Sequence, residues 1–299
     1  MRRYHCLYRI LPPVSQVPRV AAATVAAVVL LAAVPAQAAN VPFLPHQALY
    51  NLSLLKSRNG AAAVDSARGR ILYNFTGSAC EGYTSEFRQV SELNGSEGKT
   101  MLSDLRSTSW EDAEGKSYRF RIDTRMNDGD ATDVDGVAER TGDRVTVKLT
   151  HPAAKTFTLD GSTVFPTEQV RRIIAAAREG KSLLELTVYD GSDTGEKVYN
   201  TLTVIGKPIA GDSASAAPDP STANDAMKAL TRWPVTVSYY DRDAKANSGE
   251  QTPVYAMSFE LYENGVSRAL KLDYNDFVIA GTLEKFDVKA AKPCAPGRK

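Results

Sequence analysis

From His46 onward the chain alternates between apolar and polar residues. Tyr50, Leu52 and Leu54 stand between polar neighbours, as do Ile71, Tyr73 and Phe75. Tyr118, Phe120 and Ile122 are interleaved with Arg119, Arg121 and Asp123. The pattern returns at Val145, Val147 and Leu149, at Leu184, Leu186 and Val188, at Val235, Val237 and Tyr239, and at Tyr255, Met257, Phe259 and Leu261. A period of two puts one set of side chains on a core face and the other in solvent, the signature of half-buried strands. Asn94-Gly95-Ser96, Asp190 to Gly195 and Glu263-Asn264-Gly265 punctuate the runs with residues that tolerate positive φ, so antiparallel hairpins are the expected connections. About a dozen such runs predict an all-β fold: a large antiparallel sheet, barrel or spiral.

One segment departs from this period. Residues 166–179 carry Val170, Ile173, Ile174 and Ala177 on one helical stripe, with Thr167 as the expected cap and Gly180 as the stop. A single amphipathic helix among strands covers an opening of the sheet, either as a fixed plug or as a movable lid over a cavity. Val170, Ile173 and Ile174 are therefore candidates to face a cavity, together with Trp110 and Trp233 near strand positions. Residues 206–224 are small, polar and proline-containing, and read as a flexible loop. A domain linker there is the alternative, but the strands that follow are expected to rejoin the same fold. Residues 39–299 thus read as one domain, although 299 residues alone suggest about two.

The first 38 residues read as an address. Arg2, Arg3, Arg9 and Arg19 surround or precede the apolar run Val20–Val34, whose 15 residues are short for a membrane-spanning helix. Ala36 and Ala38 supply the small-x-small pattern of a signal peptidase site, so cleavage is expected after Ala38; an uncut anchor is the competing reading. No Cys follows the run to take a lipid. Residues 39–299 then carry 32 basic and 35 acidic side chains, which leaves no basic excess for nucleic acid. The expected product is exported, soluble and not membrane-spanning after cleavage. Cys80 and Cys294 remain, and an oxidising compartment favours their pairing over two free thiols or a metal site.

Groups for chemistry are scarce. Only His46 and His151 remain after cleavage, and neither G-x-S-x-G, H-E-x-x-H nor a Gly-rich phosphate loop occurs. Asp193-Thr194-Gly195 spells the aspartic-protease tripeptide, but within a hydrophilic turn and without a second copy to share a proton. Ser53 and Lys56 have the serine–lysine spacing of penicillin-binding enzymes, which works on a helix and not on a strand. Asp128, Asp130, Asp133 and Asp135 lack the order and the terminal Glu of a calcium loop. No catalytic residue, metal site or cofactor is expected. An envelope hydrolase with an unrecognised site remains the enzymatic alternative.

Several blocks, in order, carry a resemblance. They are Ala48 to Leu54, Gly69 with Tyr73-Asn74-Phe75, Cys80-Glu81-Gly82-Tyr83-Thr84, Trp110-Glu111 with Gly115 and Arg119-Phe120, and Phe165-Pro166-Thr167. Ala175 to Gly180, Asp190-Gly191-Ser192 with Gly195 to Tyr199, and the stretch from Trp233 through Asp273 to Phe277 and on to Cys294 complete the set. Together they resemble the periplasmic EipB family of cell-envelope integrity proteins from alphaproteobacteria, over nearly the whole mature chain. The resemblance implies a β-spiral, a single curved antiparallel sheet wound into a broken barrel with a helix at its opening. It implies a Cys80–Cys294 disulfide, location in the Gram-negative periplasm, no enzymatic activity, and a periplasmic tetratricopeptide-repeat protein as partner. The family has a His shortly after the Phe-Pro-Thr triplet; Glu168 and Gln169 stand there in this chain, so no role of that histidine carries over. Two functions are expected: a non-enzymatic factor for envelope integrity acting through a protein partner, or a carrier or sensor of a lipid or other apolar ligand inside the spiral.

Overall fold

The computed structural model describes residues 42–58, 64–95, 98–211, 213, 217–243, 251–291 and 294. The expected signal sequence and the expected cleavage site at Ala38 lie outside them. The first eight strands are β1 (His46–Ser57), β2 (Val64–Ser78), β3 (Gly82–Gly95), β4 (Thr100–Glu111), β5 (Ser117–Met126), β6 (Thr132–Thr141), β7 (Arg144–His151) and β8 (Lys155–Asp160), and the alternating runs named above fall in β1, β2, β5 and β7. Helix α1 (Pro166–Arg178) follows, then β9 (Leu183–Val188), β10 (Tyr199–Ile205), the single turn α2 (Pro220–Ala223), β11 (Arg232–Asp241), β12 (Tyr255–Tyr262), β13 (Ser267–Asp273) and β14 (Phe277–Val288).

All fourteen strands join one antiparallel, unclosed sheet in the order β8-β7-β6-β5-β4-β3-β2-β1-β14-β13-β12-β11-β10-β9. The chain starts in the middle at β1, meanders out to the β8 edge, crosses on α1 to the β9 edge, and meanders back until β14 pairs with β1. Both edges meet at a single point. Val164, just past β8, forms a parallel bridge with Val188 at the end of β9 through Val164 N to Thr187 O (2.8 Å) and Tyr189 N to Val164 O (3.0 Å). The strip therefore curls almost to a barrel without zipping shut, and the all-β class read from periodicity is the observed one.

Three apolar clusters fill the inner face. The first surrounds α1 and includes Phe75, Tyr83, Ile173, Ile174, Trp233, Val237 and Leu261. The second lies between β1, β2, β13 and β14, around Tyr50, Ile71, Tyr262 and Ile279. The third backs β5–β7 and takes in Tyr118, Phe120, Val147 and Tyr189. Tyr189 belongs to the β9–β10 connection, a hairpin whose loop is not wholly exposed. Part of that loop folds inward, with Tyr118 Oη donating to Asp190 O (3.0 Å) and Tyr189 Oη to Gly195 O (2.6 Å). Gly191 adopts φ +72°, and a Cβ there would fall 2.4 Å from the Phe120 ring. Only glycine satisfies both demands.

The segment 206–224 is, in its described residues, fastened rather than loose. Ile209 bridges Arg232, and Asp219 caps α2 through the backbone N–H groups of Ser221 and Thr222. Arg268, 2% exposed, donates to Asp219 Oδ2 (2.6 Å), to Glu260 and to Ala217 O, while Arg232 Nε donates to Glu260 Oε2 at 2.7 Å. Two arginines that composition alone cannot single out thus latch the loop onto β12 and β13.

Candidate functional site

Helix α1 is the element with most to place, because it connects the two edges and packs inside the curl. Pro166 at the first helical position presets φ, so the helix begins one residue before the expected cap. Phe165 is the N-cap and offers no side-chain acceptor; Thr167 lies already inside the helix. The orphan backbone donors are satisfied from elsewhere in the fold. Glu111, last residue of β4 and 2% exposed, accepts from Thr167 N (2.7 Å) on Oε2 and from Glu168 N (2.8 Å) on Oε1. The opposite end follows expectation. Gly180 at φ +72° turns the chain, with Gly180 N to Ala177 O at 3.1 Å and Lys181 N to Ala176 O at 3.0 Å closing a Schellman motif.

The charge at Glu111 is held between opposing effects. Burial pushes its carboxyl up to about 7, while the two backbone N–H groups, the Thr167 hydroxyl and nearby Arg171 favour the charged form. Beside it Arg140 of β6 ties three pieces together. It donates from Nη2 to Glu168 Oε2 (3.0 Å) and Thr163 O (2.8 Å), from Nε to Gly115 O (3.0 Å), and from Nη1 to Gly161 O. Its guanidinium also lies over the Phe165 ring. Gln169 turns inward; its Oε1 accepts from Tyr239 Oη at 3.4 Å and its Nε2 has no partner among the described residues. Tyr239 in turn stacks on Tyr255 with centroids 4.4 Å apart.

Beside the helix start lies a cavity of about 120 Å³, bounded by His46, Tyr73, Phe75, Ser85, Ser109 and Val170. His46 is buried, donates from Nδ1 to Leu44 O (2.7 Å) and packs against the rings of Tyr73, Phe75 and Phe286. Burial lowers its pKa, so the ring is neutral at pH 7. Of the five expected cavity residues, Val170 lines this space. Ile173, Ile174 and Trp233 are packed into the surrounding core. Trp110 points the other way: it shares the outward register with Arg119, whose guanidinium lies over the indole, and donates to Glu81 O at 3.1 Å. Farther along the inner face Tyr73, Phe87, Leu105 and Ile122 point inward yet remain half-buried, leaving an apolar surface only partly covered.

Tempting chemical motifs are scattered by the fold. His151 is at the surface, 4.0 Å from Asp133. Ser53 and Lys56 lie exposed on β1, and Asp193 is exposed in the β9–β10 loop. Among the described residues no three His, Cys, Asp or Glu side chains gather to hold a metal ion. Cys80, in the β2–β3 turn, is disulfide-bonded to Cys294 beyond β14, with Cα atoms 5.7 Å apart. Glu111, Arg140 and Gln169 were not singled out as site residues by the sequence reading. Glu111 did carry a signal: it continues the inner-face register of Ser107 and Ser109, and a carboxylate on a core face demands a partner.

Comparison with known proteins agrees with this geometry. An EipB-like family model matches residues 37–290. The cell envelope integrity protein EipB of Brucella abortus (strain 2308) is 35% identical over 277 residues, spanning 90% of this chain and 94% of that protein. A crystal structure of a beta-barrel-like protein of a domain of unknown function, also from Brucella abortus, superposes with a TM-score of 0.74 at 33% identity, covering 84% of this chain and all of the other.

Proposed function

The chain belongs to the EipB-like family, and we propose that it is a non-enzymatic periplasmic protein that maintains cell-envelope integrity through a protein partner. The observation carrying this reading is the near-full-length identity to a protein named for envelope integrity. The architecture is in keeping with it: a curled sheet with its few titratable interior groups committed to structural hydrogen bonds, and its larger polar display outside. No described helix is long and apolar enough to cross a membrane. The partner implied by the family resemblance is a periplasmic tetratricopeptide-repeat protein. Deleting the gene is expected to sensitise cells to detergent and to envelope-directed antibiotics, and a tagged copy to recover a specific partner from periplasmic extract. Unchanged sensitivity together with no specific partner would refute the reading.

A second reading is favoured by the partly covered inner face. An apolar ligand, such as an acyl chain, would lie against Tyr73, Phe87, Leu105 and Ile122 with α1 beside it. Native mass spectrometry and solvent extraction of protein purified from its own host test this: a co-purifying lipid supports it, and an empty protein removes it.

A further inference from the structure

The outer face of the sheet carries a groove that its inner chemistry does not explain. Across β1–β5 the outward positions fall into register as rows: Leu49, Leu72, Arg88, Arg106 and Asp123; then Asn51, Arg70, Val90, Asp104 and Arg125; then Ser53, Arg68, Glu92 and Leu102. Leu72, Val90 and Leu102 are 42%, 42% and 48% exposed on strands whose other aliphatic residues turn inward. Together with Leu49 they floor a depression of about 590 Å³, rimmed by Arg68, Arg70 and Arg88. An aliphatic floor among arginines is an uncommon use of a solvent face.

Charge indicates what covers it. The rows hold five arginines against three carboxylates, on a chain that is acidic beyond residue 38. Arg88 and Arg106 share Asp104, and Arg68 is paired to Glu92, but among the described residues Arg70 has only Glu284 at 4.0 Å. We propose that this groove docks a protein partner through an acidic segment bearing aliphatic side chains. The proposal rests on the partner-mediated function above. Aliphatic groups of the segment cover Leu72, Val90 and Leu102, and its carboxylates meet Arg68, Arg70 and Arg88, which suit bidentate pairing. A second copy of this chain fits poorly, because a two-fold contact would set a patch of net positive charge against itself. An anionic membrane fits less well than a protein, since Glu92 and Asp104 lie within the patch and a concave floor meets a rod better than a plane.

The test uses photo-crosslinking in the native host. A benzophenone side chain replaces Leu72 in one strain and Val204, exposed on β10 outside the groove, in another. The expected result is a protein adduct from position 72 whose crosslinked peptide carries acids among aliphatic residues. R68E with R70E reduces its yield at least about tenfold while leaving the thermal midpoint of the purified protein unchanged. A partner adduct at 204 and none at 72 overturns the groove but keeps the partner. Adducts at 72 only to lipid or to a second copy overturn it also. No protein adduct at either position, with no partner recovered by the tagged copy, overturns both the groove and the partner reading.

Discussion

Glu111 shows what one residue contributes to the placement of the helix. Its carboxylate gives α1 the cap that Phe165 cannot, yet burial makes that charge costly, and Tyr73 and Tyr118 also feel it. A carboxyl raised from 4.5 to about 7 binds its proton more tightly folded than unfolded. The folded protein therefore holds more protons between those values, and stability falls as pH rises through that window, by about 3 kcal/mol at most. Denaturant unfolding of wild type between pH 4.5 and 7.5 is expected to show this decline, and E111Q to flatten it. Because buried His46 contributes a rise with pH over part of the same range, the readout is the difference between the two profiles, and a wild-type curve that parallels that of E111Q would exclude the assignment. The residue was legible only as an oddity of register. Its role was hidden because its partners, Thr167 and Glu168, lie more than fifty positions away.

At the scale of elements, periodicity performs well where local pattern and tertiary demand agree. The stripe Val170, Ile173, Ile174 and Ala177 does face the core, and Gly180 does end the helix. The start at 166 was legible, but the cap was not: Thr167 resembles a cap while Pro166 and a distant carboxylate make one unnecessary. The β9–β10 connection is the hairpin its turn residues indicated, with Asp193, Thr194 and Glu196 exposed, but the pattern did not show that buried Tyr189 and Val198 at its ends draw Gly191 and Gly195 into the core. The hold on Ala217 and Asp219 was equally hidden, since it depends on Arg268 in β13. Because Ile174 is fully buried in the cluster that holds α1 to β10–β12, I174A is expected to cost about 2–5 kcal/mol. A shift of chemical-denaturation midpoint with an unchanged slope checks this; a loss near zero means α1 does not pack as described.

At the scale of the molecule, one disulfide and one topological choice bind the whole. Cys80 and Cys294 close a loop of 214 positions, for which the chain-entropy relation gives about 5 kcal/mol as an upper value. Replacing both by Ser is expected to lower the thermal midpoint by several degrees, with reductant reproducing the effect in wild type only. Equal midpoints for the oxidised protein and the double variant would contradict it. The many-stranded class was legible because the runs in β1, β2, β5, β7, β9, β11 and β12 share one period, whereas sheet order was not: period two fixes a face and says nothing about neighbours. That order has a consequence for how the chain acquires its shape. From β1 to β8 each strand pairs with the one just synthesised, so that half can form as successive hairpins while the rest is unmade. Beside β1, however, one row of hydrogen-bonding groups waits for β14, which begins only at Phe277. The oldest strand is thus completed by the youngest, and until the final residues arrive its bare edge is the place where this chain is most open to the wrong neighbour.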